Sequence, residues 1–392
     1  MKRIAFIMQG NAGTWLGGVN YIRNLFIAIH SNQDRYIEPV LFVSPELDQT
    51  SLSGFSSSTE VVRTSLASSK HYLRLIGRLF YSLSKRDPVL EILLKKHRID
   101  ALSHSYELGM NSDIVSIGWI PDFQHIHLPQ FFKRKALQRR DRRFRQMIGG
   151  CQRIILSSYD AKKDFEIFAP GAINKSRVLQ FVSCSNMYLS STDYERLCIK
   201  YNIESDYFLL PNQFWAHKNH AVVIEALSIL KKRGTNIVVL ATGDNSDYRN
   251  PTHFSKLISR AKYLGVEKNF RVMGVVPSED LQSLMLNAVA VINPSYFEGW
   301  STTVEEAKSL GLSILLSNIP VHIEQAPPFG RYFKVDSPED LADKIYSAMN
   351  DYDPLLASQL REAATKSLPG RIRRFGKAYE EIVLDAISQQ RQ

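Results

Sequence analysis

Two carboxylates, Glu298 and Glu306, have seven residues between them and are the side chains whose type and spacing best suit chemistry. Carboxylate oxygens accept hydrogen bonds from vicinal hydroxyls, such as those of a ribose or a hexose. Gly299, directly after the first glutamate, lets the backbone approach a ligand closely. The pair therefore indicates a sugar-binding site. A capped surface helix carrying two solvated glutamates is the alternative interpretation.

A strand, a loop and a helix are needed to position this pair. The apolar run Ala288 to Ile292 predicts a buried strand. Thr302 and Thr303 can each cap a helix that ends at about Leu310, with Gly311 just past its end. The first glutamate then lies on the loop above the strand and the second lies inside the helix. Because a helix N-terminus offers free N–H groups and partial positive charge to a phosphate, the arrangement indicates a site for a sugar nucleotide.

The residues from Glu298 to Ala307 resemble the Glu-x7-Glu motif of retaining glycosyltransferases of family 4, the group 1 type. Both glutamates, the glycine and the alanine match that motif, whereas Ser301 and Thr303 replace its usual Gly and Pro. The resemblance covers most of the chain and is strongest from about Tyr207 to Asp340. It implies an α/β fold of the GT-B type, in which two Rossmann-like domains with parallel sheets face a cleft.

The order of predicted elements agrees with two such domains. Strand and helix patterns alternate through both halves, which is typical of parallel sheets, and 392 residues exceed one ordinary core. We expect an N-terminal Rossmann-like acceptor-side domain at residues 1–190 and a linker at 191–205. A C-terminal nucleotide-sugar-binding Rossmann-like domain should occupy 206–370, and a helix at 371–392 should cross back to the first domain.

The resemblance also implies which residues act. Lys218, on a strand-to-helix loop, matches the lysine of an Arg–Lys pair that grips the donor diphosphate, but the arginine is missing and Asn212 stands near its place. His125 matches a histidine that contacts the donor sugar; without the resemblance it is a loop histidine, or with His127 a hint of metal. The expected catalytic residues are His125, Lys218 and Glu298. The expected donor-binding residues are Gly17, Gly18, Lys218, Met273, Gly274, Val275, Glu298, Gly299, Trp300, Ser301, Thr302, Thr303 and Glu306.

The implied activity is that of a retaining hexosyltransferase. It would move a sugar from a nucleoside diphosphate donor to a glycan or lipid-linked acceptor in cell-surface polysaccharide biosynthesis, such as O-antigen, capsule or lipopolysaccharide. No metal and no other cofactor are expected, since cations and a helix terminus can support the diphosphate. Three alternatives stay open. They are a sugar-nucleotide epimerase or hydrolase on the same fold, a basic nucleic-acid-binding protein, and a non-catalytic partner subunit.

The net charge of +10 indicates an anionic partner. The segment from Phe131 to Ile148 is the most basic one and suits either a solvated helix face or an anionic membrane surface. A second pattern, residues 70–86, combines an apolar helical face with a basic rim and suits a core helix or a membrane-surface helix. Nucleic acid is not expected, because no helix-turn-helix, zinc-finger or ribonucleoprotein signature is present. The expected membrane contacts are Lys133, Arg134, Arg139, Arg140, Arg142 and Arg143.

The expected location is the cytoplasm, with peripheral attachment to the inner face of the cell membrane. No apolar run reaches the roughly 20 residues that cross a bilayer. Cys151, Cys184 and Cys198 are scattered without metal or redox spacing, which favours a reducing compartment.

Overall fold

The computed structural model describes residues 1–8, 16–49, 52, 54–55, 58–68, 71–105, 108–184 and 193–389. The chain divides into two compact units. The first unit comprises Met1–Phe123, Arg134–Cys184 and Pro369–Gln392, and the second comprises Gln124–Lys133 and Ser185–Leu368. The domain bounds expected from the sequence remain a prediction.

Strands and helices alternate along the described residues. The strands are β1 (Lys2–Met8), β2 (Ile37–Val43), β3 (Glu60–Arg63), β4 (Ala101–Ser103), β5 (Val115–Ile120), β6 (Arg153–Leu156), β7 (Ser176–Val178), β8 (Phe208–Pro211), β9 (Val239–Thr242), β10 (Phe270–Gly274), β11 (Val291–Asn293), β12 (Ile314–Ser317) and β13 (Gly330–Phe333). The α-helices are α1 (Leu16–His30), α2 (Tyr72–Ser84), α3 (Pro88–Lys96), α4 (Gln124–His127), α5 (Arg134–Gly150), α6 (Tyr159–Phe168), α7 (Tyr194–Tyr201), α8 (His220–Lys232), α9 (His253–Tyr263), α10 (Ser278–Leu286), α11 (Thr302–Leu310), α12 (Pro320–Gln325), α13 (Pro338–Asn350) and α14 (Pro354–Gln389).

The first unit is built on a parallel sheet. Among its described residues the sheet has seven strands in the order β3-β2-β1-β4-β5-β6-β7. Phe6 on β1 lies opposite Leu41 on β2 and Ser103 on β4. Strands β1 and β2 read as nearly continuous apolar runs because helices cover both faces of a parallel sheet and leave no solvated side.

The second unit is also a parallel α/β sheet, with six described strands in the order β10-β9-β8-β11-β12-β13. Successive side chains of a strand point to opposite faces, and β8 shows the consequence. Phe208 and Leu210 pack in a core with residues of α8 and α13. Leu209 packs in a separate core with residues of α10 and α11. Two helical layers therefore enclose this sheet.

The strand order of the second unit reverses between β8 and β11, which makes their carboxyl ends a topological switch point. Open α/β sheets bind ligands at such points, where neighbouring loops diverge and leave a crevice. The residues that follow and end these strands, Asn212 and Asn293, are joined by an amide hydrogen bond of 3.4 Å. The loops after β8 and β11 therefore start side by side.

The C-terminal helix is longer than expected, since α14 begins at Pro354 rather than near residue 371. Its last part belongs to the first unit, where Gly376 lies against α1 so closely that a Cβ atom would be 2.2 Å from the Ala28 carbonyl oxygen. The Tyr379 hydroxyl donates to Ser103 Oγ at 2.7 Å. Earlier in the chain, helix α7 lies within the stretch expected to be a linker. None of the described helices is long and apolar enough to cross a membrane.

Candidate active site

Lys218 and Glu298, predicted separately, form an ion pair at the switch point of the second unit. Lys218 Nζ lies 2.6 Å from Glu298 Oε1, and both side chains are largely buried. Lys218 ends a short 3₁₀ turn, Ala216–Lys218, that follows β8, and Glu298 lies on the loop that follows β11. Eighty residues of sequence separate two groups that the sheet brings into contact.

The environment of Glu298 keeps its carboxylate ionised. Burial is the largest single influence and would raise its pKa, but the positive charge of Lys218 and the hydrogen bonds from Lys218 and Ser295 together oppose burial. The pKa of Glu298 is therefore lowered. The Ser295 hydroxyl also lies 2.6 Å from Glu298 Oε1. A charged acceptor is thus held ready in a buried position.

A buried polar network fixes the loop that carries Glu298. Asn293 donates to Ser301 Oγ at 2.7 Å, and Ser317 Oγ donates to the Ser295 carbonyl at 2.6 Å. His322 places Nδ1 3.0 Å from the Ser317 carbonyl oxygen, and since a carbonyl only accepts, this nitrogen carries the proton of the neutral ring. Burial lowers the pKa of His322 to about 4, so the ring is neutral at pH 7. Because these hydrogen bonds tie the loop to β12 and to the start of α11, the loop is preorganised.

Helix α11 ends at Leu310 as predicted, but it begins earlier than predicted because the predicted N-cap is wrong. The cap is Ser301 rather than Thr302 or Thr303, and its Oγ accepts from Val304 N. Gly311 adopts the left-handed conformation past the helix end, as expected. The Ser301 N–H is engaged by Gln325 Oε1 at 3.0 Å, so this predicted donor-binding residue already has a partner. The N–H groups of Thr302 and Thr303 have no acceptor among the described residues, as befits a helix start.

The two adjacent glutamates of α11 differ sharply. Glu305 is buried and lies 3.1 Å from Lys308 Nζ and 3.2 Å from Gln325 Nε2, so it is structural. Glu306 is partly buried and has no hydrogen-bond partner within the described part of the chain. Burial raises its pKa to about 7. A desolvated carboxylate without a protein partner suits a ligand that supplies hydroxyl donors.

His125 lies on the short helix α4, which packs with the second unit. The sequence analysis expected a rigid loop here. Neighbours of His125 contact the loops that carry the other predicted residues. The His127 ring lies 5.2 Å from the ring of Phe297, which directly precedes Glu298. Gln124 accepts from Arg249 Nη1 at 3.0 Å. The histidine segment is thereby attached to the loops of the Lys218–Glu298 pair.

Arg249 is a residue that the sequence analysis missed. It comes from the loop after β9 and places Nη2 3.2 Å from His217 Nδ1, beside Lys218. Asp247 lies 3.4 Å away, and the guanidinium lies 5.0 Å from the Trp215 ring. The sequence could have indicated Arg249, because it is a cation on the loop after a parallel strand, and such loops lie at the sheet edge where ligands bind. Arg249 links α4 to the turn that carries Lys218.

The other predicted donor-binding residues lie on several elements. Met273 and Gly274 end β10 at the edge of the sheet, and Val275 follows it. The Gly274 carbonyl accepts from Gly243 N at 2.8 Å. Gly17 and Gly18 begin α1 in the first unit, with Gly17 exposed and Gly18 buried. Gly299 is half-buried and Trp300 is buried. Over the described residues no group of three or more His, Cys, Asp or Glu side chains could hold a metal ion.

Comparison with known proteins identifies the family. The model of the glycosyl transferases group 1 family matches residues 164–367, which is more than half of the chain. The chain belongs to that family. Mannosylfructose-phosphate synthase of Agrobacterium fabrum is 24% identical over 171 residues, which cover 43% of this chain and 37% of that protein. The chain thus matches little more than a third of the length of this curated relative.

Solved structures identify the fold. Anabaena Alr3699/HepE, crystallised in complex with UDP and glucose, superposes with a TM-score of 0.70 over 98% of this chain and 100% of its own, at 15% identity. WaaG, a glycosyltransferase involved in lipopolysaccharide biosynthesis, has a TM-score of 0.59 over 98% of each chain at 16% identity. The two parallel-sheet Rossmann-like units therefore form a GT-B fold.

Proposed function

We propose that this group 1 glycosyltransferase moves a sugar from a nucleoside diphosphate to a glycan or lipid-linked acceptor, with retention of the anomeric configuration. The observation that carries the proposal is the buried Lys218–Glu298 pair at the switch point of the second unit. It combines a cation for a diphosphate with an acceptor for sugar hydroxyls. The complexes of Alr3699/HepE with UDP and with UDP-glucose support a uridine nucleotide as the first donor to test.

Donor binding would exchange the partners of this pair. The diphosphate would take Lys218 and the N–H groups of Thr302 and Thr303, which frees Glu298 to accept from sugar hydroxyls. Glu306 would accept from the ribose, which supplies the donors that its environment lacks. His125 would contact the reacting sugar. In this proposal Glu298 is never left as an unpaired buried charge, since hydroxyl donors replace the lysine.

Transfer would rely on positioning and on electrostatic support of the leaving group. The bond between the anomeric carbon and the diphosphate oxygen would break while the acceptor hydroxyl oxygen bonds to that carbon and gives its proton to the departing diphosphate oxygen. Negative charge grows on the diphosphate as that bond breaks, and Lys218 lies in a buried site where its charge is little screened. A role in O-antigen, capsule or lipopolysaccharide biosynthesis and peripheral attachment to the inner face of the cell membrane belong to the same proposal.

The test combines donor binding with turnover. A thermal-shift panel of nucleoside diphosphate sugars should raise Tm for one donor, and NMR of the product should show the retained anomer. Glu306→Gln should lose the shift, whereas Glu267→Gln, on an exposed surface of the same unit, should keep it. Donor consumption without acceptor would instead favour an epimerase or hydrolase. Donor binding without turnover in the presence of every acceptor would favour a non-catalytic subunit.

A further inference from the structure

Helix α2 presents its apolar side chains outwards. Tyr72, Leu75, Ile76, Leu79, Phe80 and Leu83 are between 40% and 79% exposed. Their spacing of three and four residues places all six along one stripe of the helix. Monomeric proteins rarely expose so many large apolar side chains together unless the patch binds something. The sequence pattern suits both a core helix and a membrane-surface helix, and in the structure the apolar face lies outside the core.

The opposite side of α2 fixes this orientation. Arg74 is buried and pairs with Asp87 at 3.4 Å. Gly77 lies so close to the same carboxylate that a Cβ atom would be 2.4 Å from Asp87 Oδ1. Asp87 is also the N-cap of α3, with its side chain accepting from Leu90 N. Since a charged residue and a glycine face the protein, rotation of the helix to bury its apolar stripe would break a buried ion pair.

Cations lie near the C-terminal end of α2. A groove of about 690 Å³ is lined by Tyr81 and Lys85 on the α2 side and by Arg142 and Arg145 on α5, which places the two helices beside each other. The sequence of α2 contains no acidic residue and that of α5 contains one, Asp141. Phe144, Met147 and Ile148 bury one side of α5, so its arginines point to solvent. Arg140 is the exception among the predicted membrane contacts, because it pairs with Asp122 at 2.6 Å.

We infer that α2 and α5 together form a docking surface for an anionic lipid bilayer. The stripe of α2 would enter the boundary between headgroups and acyl chains, with the helix lying parallel to the membrane. Lys85 and the exposed arginines of α5 would bind the phosphates of the headgroups. An exposed apolar helix face without acidic residues, on a unit that also presents exposed arginines, is the pattern of interfacial helices. The inference deepens the proposed attachment to the membrane and does not depend on glycosyl transfer, because vesicle binding needs no donor.

The first test is co-sedimentation of the full chain with vesicles of phosphatidylcholine containing about one third phosphatidylglycerol. Leu75→Ser with Leu83→Ser should weaken partitioning roughly ten-fold or more, since two side chains no longer enter the lipid. The matched control, Ile199→Ser with Leu355→Ser, removes two exposed apolar side chains of the second unit and should bind as the wild type does. Equal binding by the α2 variant, or equal loss by the control, would overturn the inference.

Two further measurements separate insertion from other contacts. Arg139→Gln with Arg142→Gln should weaken binding about five-fold for each cation removed, and added salt should reduce that difference. Tryptophan placed by Leu83→Trp should be quenched by brominated acyl chains, whereas tryptophan from Ile199→Trp should not. Charge-dependent binding without quenching would contradict insertion. A wild-type dimer that Leu75→Ser with Leu83→Ser converts to a monomer, with vesicle binding unchanged, would assign the face to a second copy instead.

Discussion

Lys218 and Glu298 depend on each other in the unliganded protein. Each is largely buried, so removal of one leaves the other as a buried charge with fewer partners. Stability and catalysis can therefore be separated by changing the two residues singly and together.

We expect Lys218→Met to lower kcat/KM by about 100-fold or more, because the leaving diphosphate loses its cation. It should also destabilise the fold by roughly 3 kcal/mol, since Glu298 is left unpaired. The double variant Lys218→Met with Glu298→Gln should recover stability without recovering activity. Lys268→Met, at an exposed position, serves as the control. Additive effects on Tm in the double variant would contradict the coupling.

Glu306 gives the site a dependence on pH. Its folded pKa of about 7 lies above the ordinary 4.5, so the unfolded chain releases this proton first as pH rises. The contribution of Glu306 to stability is therefore lost between about pH 4.5 and about pH 7. Over this interval, the Tm of Glu306→Gln should rise relative to the Tm of the wild type.

Donor affinity should increase with pH, whereas the contribution of Glu306 to stability decreases. The ionised carboxylate is the better acceptor for ribose hydroxyls, so donor binding should strengthen as pH rises through about 7. Titration calorimetry on both sides of that pH measures the effect. A pH dependence that persists unchanged in Glu306→Gln would assign the titration to another group.

At the scale of elements, Arg249 joins three loops of the second unit. Its guanidinium contacts Gln124 on α4, His217 beside Lys218, and Asp247 on its own loop. Its contact His217 directly precedes Lys218, the lysine for which the sequence shows no partner arginine. We place it as a positioning residue, because its contacts are with protein groups.

We expect Arg249→Ala to lower kcat about ten-fold while hydrogen exchange at residues 124–127 accelerates, because α4 loses its link to the Lys218 turn. Arg249→Lys should not rescue the activity, since an ammonium cannot reproduce the planar contacts of a guanidinium. Arg260→Ala, which breaks an exposed ion pair with Glu225, is the control. Unchanged exchange at α4 combined with reduced kcat would contradict the positioning role.

At the scale of the whole molecule, the chain returns to its first unit through the end of α14. Arg153 on β6 is almost fully buried and pairs with Asp385 of that helix at 2.7 Å. Arg177 also contacts Asp385, at 2.8 Å. The hydrogen bond from Arg153 is the main reason that the pKa of Asp385 is lowered. This pair couples residues from distant parts of the sequence into one cooperative unit.

We expect Asp385→Asn to destabilise the first unit by about 2–4 kcal/mol, because it leaves the buried guanidinium of Arg153 without a charged partner. The contribution of Asp385 is present above its unfolded pKa of 3.8 and is lost as pH falls below that value. Asp343→Asn, which removes an exposed ion pair with Arg233, should change Tm little. Equal effects of the two variants would contradict the anchoring role.

The sequence by itself determined what is local. The end of α11, its terminal Gly311 and the position of Glu298 on a strand-to-helix loop follow from short windows, because capping and periodicity are set by neighbouring residues. The same windows missed the short edge strands β3 and β13 and helix α9, where the apolar pattern is weak. They also assigned the cap of α11 to the wrong residue, since Ser301 and the two threonines have similar capping side chains.

The tertiary structure alone decided what is distant. The contact between Lys218 and Glu298, the approach of Arg249 to His217, and the outward face of α2 all depend on strand order and helix rotation. A parallel sheet brings the ends of strands far apart in sequence to one edge, and no local pattern encodes which ends become neighbours. The rotation of α2 likewise follows from contacts with a distant residue, since both Arg74 and Gly77 lie against Asp87. The sequence therefore supplied the chemical groups, and the strand order of the second sheet decided which of them meet.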